Sequence, residues 1–223
     1  MKYPKKTRVV LIQRIFTHYR HNFLLSLKSI LENNGVEFVF IYGQTSKSES
    51  TKRDNVEVKW GTKIRNCYLP FGFVWQPFTL KIFGADLIIV EQANKLLVNY
   101  LFLLLRPLLK FKLAFWGHGL CHQQFAQSLS NKFKLKLLKQ PDWWFAYTSS
   151  VTKFLTKHGI DNEKITTVQN SIDTEEVKKY RAKITETDLT ALKEKLGIEK
   201  RAPIGAFCGG MYKEKELQFL IEA

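Results

Sequence analysis

Several features that mark large protein classes are scarce or missing in this sequence. Three cysteines, Cys67, Cys121 and Cys208, form an odd set with no CxxC pair, which argues against a disulfide framework and for reduced thiols in a cytoplasmic setting. No His and Cys cluster stands at metal-ligand spacing, so no metal is expected. The opening MKYPKKTRVVLIQ has too few consecutive apolar residues for a secretory signal. The most apolar stretch, Leu96 to Leu109 (LLVNYLFLLLRPLL), is broken by Asn99 and Arg106-Pro107 and falls short of the ~20 residues that cross a bilayer. It reads as a buried helix, with a membrane-surface contact as the alternative. Acids are scarce too: 20 Asp and Glu against 35 Lys and Arg leave a formal charge of +15, which attracts polyanions at long range. No nucleic-acid motif accompanies that charge, so phosphates and acidic lipid surfaces are the expected partners and nucleic acid is not.

What is present is an alternation of strands and helices. With 223 residues, 45% of them hydrophobic, the chain can build one full domain and part of another. Arg8 to Ile12 is a β-branched run, Phe23, Leu24, Leu27, Ile30 and Leu31 trace a helix face that stops at Gly35, and Val36 to Tyr42 is the next strand. This is the sequence form of a right-handed parallel crossover. The polar stretch 43–55 is a surface loop or a segment that closes over a ligand. Strand-type residues recur at 56–60 and 67–75, a short helix is expected over 76–83, and further strands follow at 86–90, 112–115, 143–148 and 165–168. Helices are expected at 96–105, at 123–138 with a basic solvated face, and at Val151 to Lys157, capped by Ser149 or Ser150 and ended by Gly159. The fold class is therefore α/β, a Rossmann-like parallel sheet with helices on both faces.

In such sheets ligands bind beyond the carboxyl ends of the strands. Glu91 directly follows a strand and is a candidate on that ground, or else an acid favoured by a helix N-terminus. His118 sits between Gly117 and Gly119 at another strand end. Glycines allow close approach of a substrate, so this imidazole reads either as structural or as a partner for a sugar hydroxyl or phosphate. Near the end of the chain, an expected strand over 204–208 meets Gly209-Gly210 and then a helix containing Leu217, Leu220 and Ile221. That arrangement is either an ordinary turn or a phosphate-binding one, with Lys215 as a nearby cation.

Three pieces in fixed order resemble a known family. WGHG at 116–119, the segment from Pro141 through ITTVQNSID at 165–173, and FCGGMYKEKELQFLIEA at 207–223 are similar to the large retaining glycosyltransferase family 4 of the GT-B fold. That family's pattern of aspartate, strand, serine-capped helix, short strand and Pro-Asn-Gly-(Val/Ile)-Asp turn is met by Asp142, Ser149, Leu155, Gly159, Val168, Asn170, Ile172 and Asp173. Gln169 and Ser171 stand where the family has Pro and Gly. The closing stretch resembles the family's phosphate-binding opening of the second domain, with Glu214 and Lys215 in place, Gly210 where the family has Arg, and Glu216 where it has Gly. His18-Tyr19-Arg20 resembles members with Tyr-Arg in the first loop.

The resemblance implies a residue set and a division of the chain. His118 would contact the transferring sugar. Gly209, Gly210, Lys215 and Asn170 would bind the donor, and Tyr19, Arg20 and Glu91 would line the acceptor side. Residues 1–173 would be the acceptor-side domain, 174–202 a charged connection, and 203–223 the first strand and helix of a donor domain whose remainder is missing. The implied reaction moves a sugar, with retention, from a nucleotide-sugar donor to a lipid-linked or polysaccharide acceptor of the cell envelope, with no cofactor or metal. The +15 charge adds an expected contact with an anionic inner membrane face. The alternatives are an inactive truncated fragment and a basic, non-catalytic polyanion-binding module.

Overall fold

The computed structural model describes residues 6–47, 49–50, 55–77, 79–119, 135–170, 172–199, 201–209 and 215–222. The chain divides into two units, residues 1–172 and 173–223.

The first unit is built on a sheet in which every pairing is parallel. Its strands are β1 (Arg8–Gln13), β2 (Glu37–Gly43), β3 (Thr62–Ile64), β6 (Leu87–Glu91), β7 (Lys112–Gly117), β8 (Trp143–Ala146) and β9 (Ile165–Thr167), in the order β3-β2-β1-β6-β7-β8-β9. A separate antiparallel pair, β4 (Cys67–Tyr68) with β5 (Val74–Trp75), lies between β3 and β6 in sequence. The helices of this unit with both ends described are α1 (His21–Asn33), α2 (Leu97–Leu109) and α3 (Ser149–Lys157).

Alternate residues of each strand feed two different cores, which is why the strands are apolar without interruption. Val10, Ile12, Ile88, Val90, Leu113, Phe115 and Trp144 pack with Val98 and Phe102 of α2 and with Val151 and Leu155 of α3. Val9, Leu11, Phe40, Ile89, Ala114 and Trp116 pack with Leu24 of α1 on the opposite face. The strand order reverses at β1, so right-handed crossovers require helices of the two halves to cover opposite faces. At the amino edge of the sheet, Asp86 accepts the backbone N–H of Arg8 at 2.8 Å and Asp142 accepts that of Leu113 at 2.9 Å. Asp142 also pairs with Arg106 at 3.2 Å, so this residue buckles β7 to β8.

Local punctuation follows the sequence with a few differences. Gly35 and Gly159 end α1 and α3 at φ of +76° and +82°. The cap of α3 is Thr148, not Ser149 or Ser150: its hydroxyl accepts the N–H of Val151. The extended backbone an N-cap needs is already present at Thr148, two residues past the end of β8. Over 76–83 the described residues contain only the 3-10 turn Leu80–Ile82, and 56–60 joins no sheet. Residues 135–138 are helical; the rest of the basic segment 123–134, Cys121, Gly210 and Glu214 lie outside the described residues.

The second unit contains α4 (Glu175–Lys183), α5 (Glu186–Lys195) and α6 (Leu217–Glu222), none with a buried residue. A reciprocal capping box of Thr185 and Asp188 starts α5. The strand expected over 204–208 is not formed: residues 202–208 carry no regular structure. A strand is held by hydrogen bonds to a neighbouring strand, and residues 173–223 contain none among those described.

Candidate functional site

The carboxyl ends of β1, β6, β7, β8 and β9 stand side by side along one edge of the sheet, from the point where the strand order reverses outward, and the loops leaving them carry most of the expected residues. Backbone bonds knit this edge: Gln92 donates to the Trp116 carbonyl at 2.8 Å, Tyr147 to that of Gly117 at 3.1 Å, and Val168 to that of Ala146 at 2.9 Å. Gly117 must be glycine because a Cβ there would stand 2.9 Å from Gln92 Cβ and 3.3 Å from the Gln92 carbonyl. Gly119 has φ of +73°. Crowding before His118 and a left-handed turn after it thus hold the imidazole at the strand's exit.

The loop after β1 returns over the same edge through the 3-10 turn His18–Arg20, which delivers Arg20. Its Nη2 donates to Tyr147 Oη at 2.5 Å and to Asn170 Oδ1 at 3.4 Å. The guanidinium carbon lies 5.0 Å from the Tyr147 ring centroid, 5.7 Å from that of Tyr19 and 5.8 Å from that of Trp116. His118 also packs on Tyr147, ring centroids 4.3 Å apart and planes at 60°. Tyr19, His118 and Asn170 are therefore gathered around the pair of Arg20 and Tyr147, the second of which was not singled out from sequence.

Charge at the cluster follows from this packing. Burial, reinforced by the nearby Arg20 cation, lowers the His118 pKa below its ordinary 6.5, so the imidazole is neutral at pH 7. Burial raises the Tyr147 phenol although Arg20 pulls it the other way, leaving a protonated hydroxyl. For Arg20 burial works against the charge, but Tyr147, Tyr19 and Glu91 outweigh it and the pKa rises. The arrangement presents one fixed cation, one neutral imidazole and an amide, suited to holding hydroxyls and an oxyanion.

Glu91 ends β6 and accepts the backbone N–H of Arg14 at 3.2 Å. It is no helix-terminal acid, since α2 starts at Leu97 with none in its first turn. Beside it opens a cavity of about 860 Å³ whose lining includes Arg14, Glu49, Tyr68, Phe73, Lys95 and Tyr100. Arg14 donates to Glu49 at 2.8 Å. That hydrogen bond, against burial and with help from Ser46, lowers the Glu49 carboxyl to about 2. Ser46 and Glu49 belong to the polar loop after β2, so that loop forms one wall of the cavity.

Gln169 has φ of +52°, a left-handed conformation that proline cannot adopt. The turn carrying Asn170 is thus built differently from the Pro-Asn-Gly pattern it resembles. Gly209 and Lys215 are exposed residues of the second unit, and Gly210 lies outside the described residues. Cys67 and Cys208 are free and exposed. Among the described residues no group of three or more His, Cys, Asp or Glu could hold a metal ion, and no helix is long and apolar enough to cross a membrane.

Residues 21–176 match the model of Glycosyltransferase Family 4. The chain belongs to this family. The matched span contains Glu91, His118, Tyr147 and Asn170; Tyr19 and Arg20 immediately precede it. No curated protein matches the family 4 chain. Among solved structures it is similar to the lipopolysaccharide outer core galactosyltransferase WaaB in its apo form, with 12% identity, TM-score 0.46, and 76% of this chain covering 47% of that one. Anabaena HepE in complex with UDP and glucose gives 13% identity, TM-score 0.48, and coverage of 86% and 50%. UDP-GlcNAc 2-epimerase from Neisseria meningitidis bound to UDP-GlcNAc gives 15%, 0.49, and 87% and 55%. The family 4 chain spans about half the length of these structures.

Sequence reasoning missed Tyr147, Trp116, Arg14 and Glu49. For Trp116 and Tyr147 the signal was available, since each stands at the end of a strand as Glu91 does. Arg14 and Glu49 become visible only once the loop after β2 folds back on β1.

Proposed function

We propose that the chain carries the acceptor-side part of a retaining glycosyltransferase that moves a sugar from a nucleotide-sugar donor to a lipid-linked or polysaccharide acceptor of the cell envelope, at the cytoplasmic face of the membrane. The observation that carries this reading is the neutral His118 held between two glycines against Tyr147, beside the Arg20 cation, at the carboxyl edge where the strand order reverses. Sites of this topology receive ligands from outside the sheet.

In the transfer the bond from the anomeric carbon to the diphosphate oxygen breaks, its electron pair leaves with the nucleoside diphosphate, and a bond forms to the acceptor oxygen, whose proton passes to the leaving phosphate. His118 holds a hydroxyl of the transferring sugar; being neutral, it offers one donor and one acceptor. Arg20 and Asn170 face the developing negative charge, and fixed groups of this kind stabilise it without reorganising. By the family resemblance, Gly209, Gly210 and Lys215 are assigned to the donor phosphates. Glu91 and the adjoining cavity receive the acceptor hydroxyl.

Calorimetric titration with UDP, GDP and ADP, followed by transfer from the matching labelled nucleotide sugar to a membrane-lipid extract, tests the proposal. Label transfer that falls at least ~100-fold in His118→Ala is expected, the scale of removing a well-placed transition-state contact. Transfer undiminished in His118→Ala would overturn the assignment.

A further inference from the structure

An exposed apolar projection stands at the rim of the cavity. The β4–β5 hairpin pairs Cys67 with Trp75 and Tyr68 with Val74, and its base is anchored: Val74 is buried, and its N–H donates to the Lys95 carbonyl at 2.9 Å. Across the turn, Leu69 donates to the Phe73 carbonyl at 2.8 Å. The tip is the reverse of the base. Phe71 is 88% exposed, Leu69 41% and Phe73 39%, so a fixed turn presents three large apolar side chains to the surroundings. Phe71 does so at φ of +59°, where an aromatic residue is strained and Gly or Asn would be easier. Packing within the fold gives no reason for phenylalanine there.

The stretch of sequence that carries the hairpin is basic, although Lys63 pairs with Glu57 and the adjoining cavity wall holds Glu49 and Glu91. Between Val58 and Ala85 there is no acid, while Lys59, Lys63, Arg65 and Lys81 are present. Lys95 lies against the turn, its Nζ 2.8 Å from where a Cβ on Gly72 would stand. Aromatic residues favour the water–lipid boundary, and basic residues flanking them favour anionic headgroups. We infer that the hairpin of residues 67–75 seats the protein in an anionic lipid interface, with Leu69, Phe71 and Phe73 entering the headgroup–acyl boundary and the flanking cations meeting lipid phosphates. Tyr68, Gly72, Phe73 and Val74 also line the cavity that reaches Glu91. Seating the tip therefore brings the cavity mouth to the membrane surface, where the head of a lipid-linked acceptor can enter while its chain stays in the bilayer. That last step rests on the sugar transfer proposed above; the lipid seating does not.

Co-sedimentation with vesicles of phosphatidylcholine alone, and of phosphatidylcholine mixed with phosphatidylglycerol, tests the inference. The chain is expected to partition onto the anionic vesicles, less at high salt, and Phe71→Ser to lower the partition coefficient roughly tenfold or more, the scale of exposing one buried phenyl ring. Phe71→Trp should restore it, and a fluorescence blue shift with vesicles should place that ring in lipid. The double substitution Leu104→Ser with Leu108→Ser, on the exposed side of α2, should leave binding unchanged. Equal partitioning of Phe71→Ser and the parent, loss with the α2 pair instead, or pelleting without vesicles would each overturn the inference. Nucleotide titration of the same variants without lipid separates the two proposals: vesicle binding without nucleotide binding removes the transfer reading and leaves this one standing.

Discussion

The Arg20 guanidinium donates to the Tyr147 hydroxyl at 2.5 Å, joining the loop after β1 to the end of β8 across 127 positions of the chain. Tyr147 in turn has the His118 ring at 4.3 Å, so one phenol holds both a cation and an imidazole in place.

Removing that hydroxyl is therefore expected to affect both neighbours. Tyr147→Phe keeps the ring against His118 but leaves the part-buried Arg20 without its shortest bond. Hydrogen bonds to charged groups contribute ~1.5–3 kcal/mol, so a loss of stability in that range is expected in urea denaturation. A change below ~0.5 kcal/mol would show the bond to be dispensable.

His118 is expected to titrate below 6.5 in the folded protein, read from its imidazole proton signals by NMR. A depressed imidazole means the unfolded chain binds more protons, so its stabilising contribution is complete above pH 6.5 and falls as pH drops from there through the folded pKa. Arg20→Gln removes the cation and should move the titration upward, only part of the way, because burial is the larger cause. An unchanged titration would place Arg20 too far away to act on it.

Glu49 carries the opposite sign. Its carboxyl is lowered to about 2 from an ordinary 4.5, so its stabilising contribution is present above 4.5 and is lost as pH falls toward 2. Glu49→Gln should flatten the acid limb of the stability profile in that window. It should also speed proteolysis within the loop after β2, since the Arg14 ion pair ties that loop to β1. A profile identical to the parent's would show the pair to be absent in solution.

Gln169→Pro is a test of the turn before Asn170. Proline is confined near φ of −65°, while Gln169 sits at +52°, so restoring the family's usual residue should destabilise by more than ~1 kcal/mol. A stabilised variant in thermal denaturation would mean that the turn reorganises to the Pro-Asn-Gly form.

Much of this architecture is legible in local patterns, and the exceptions share a cause. β1, β6 and β7 are continuous apolar runs because both faces are buried, and Gly35 and Gly159 mark helix ends because a left-handed residue is needed there. The Gly-His-Gly exit of β7 is visible for the same local reason. The strand expected at 204–208 failed because an apolar run is only half of a strand; it also needs a neighbour to pair with, and the described residues of 173–223 form none. Thr148 displaced the serines as cap because the cap is chosen by where the backbone turns, a matter of one residue that sequence does not resolve.

Sequence alone determined the alternation of strands and helices, the positive charge, and the strand-end placement of Glu91, His118 and Asn170, since each of these is set by residues near one another in the chain. Tertiary structure decided which strand ends meet. Because the order reverses at β1, the loop bearing Arg20 falls beside β7, β8 and β9, and Tyr147 and Trp116 become its partners through contacts that no local pattern encodes. The same folding leaves Glu91 outside the first turn of α2, ties Glu49 to Arg14, and leaves Phe71 outside the core. Burial is a property of the assembled sheet and its covering helices, and it is burial that lowers His118, raises Tyr147 and leaves one aromatic tip exposed.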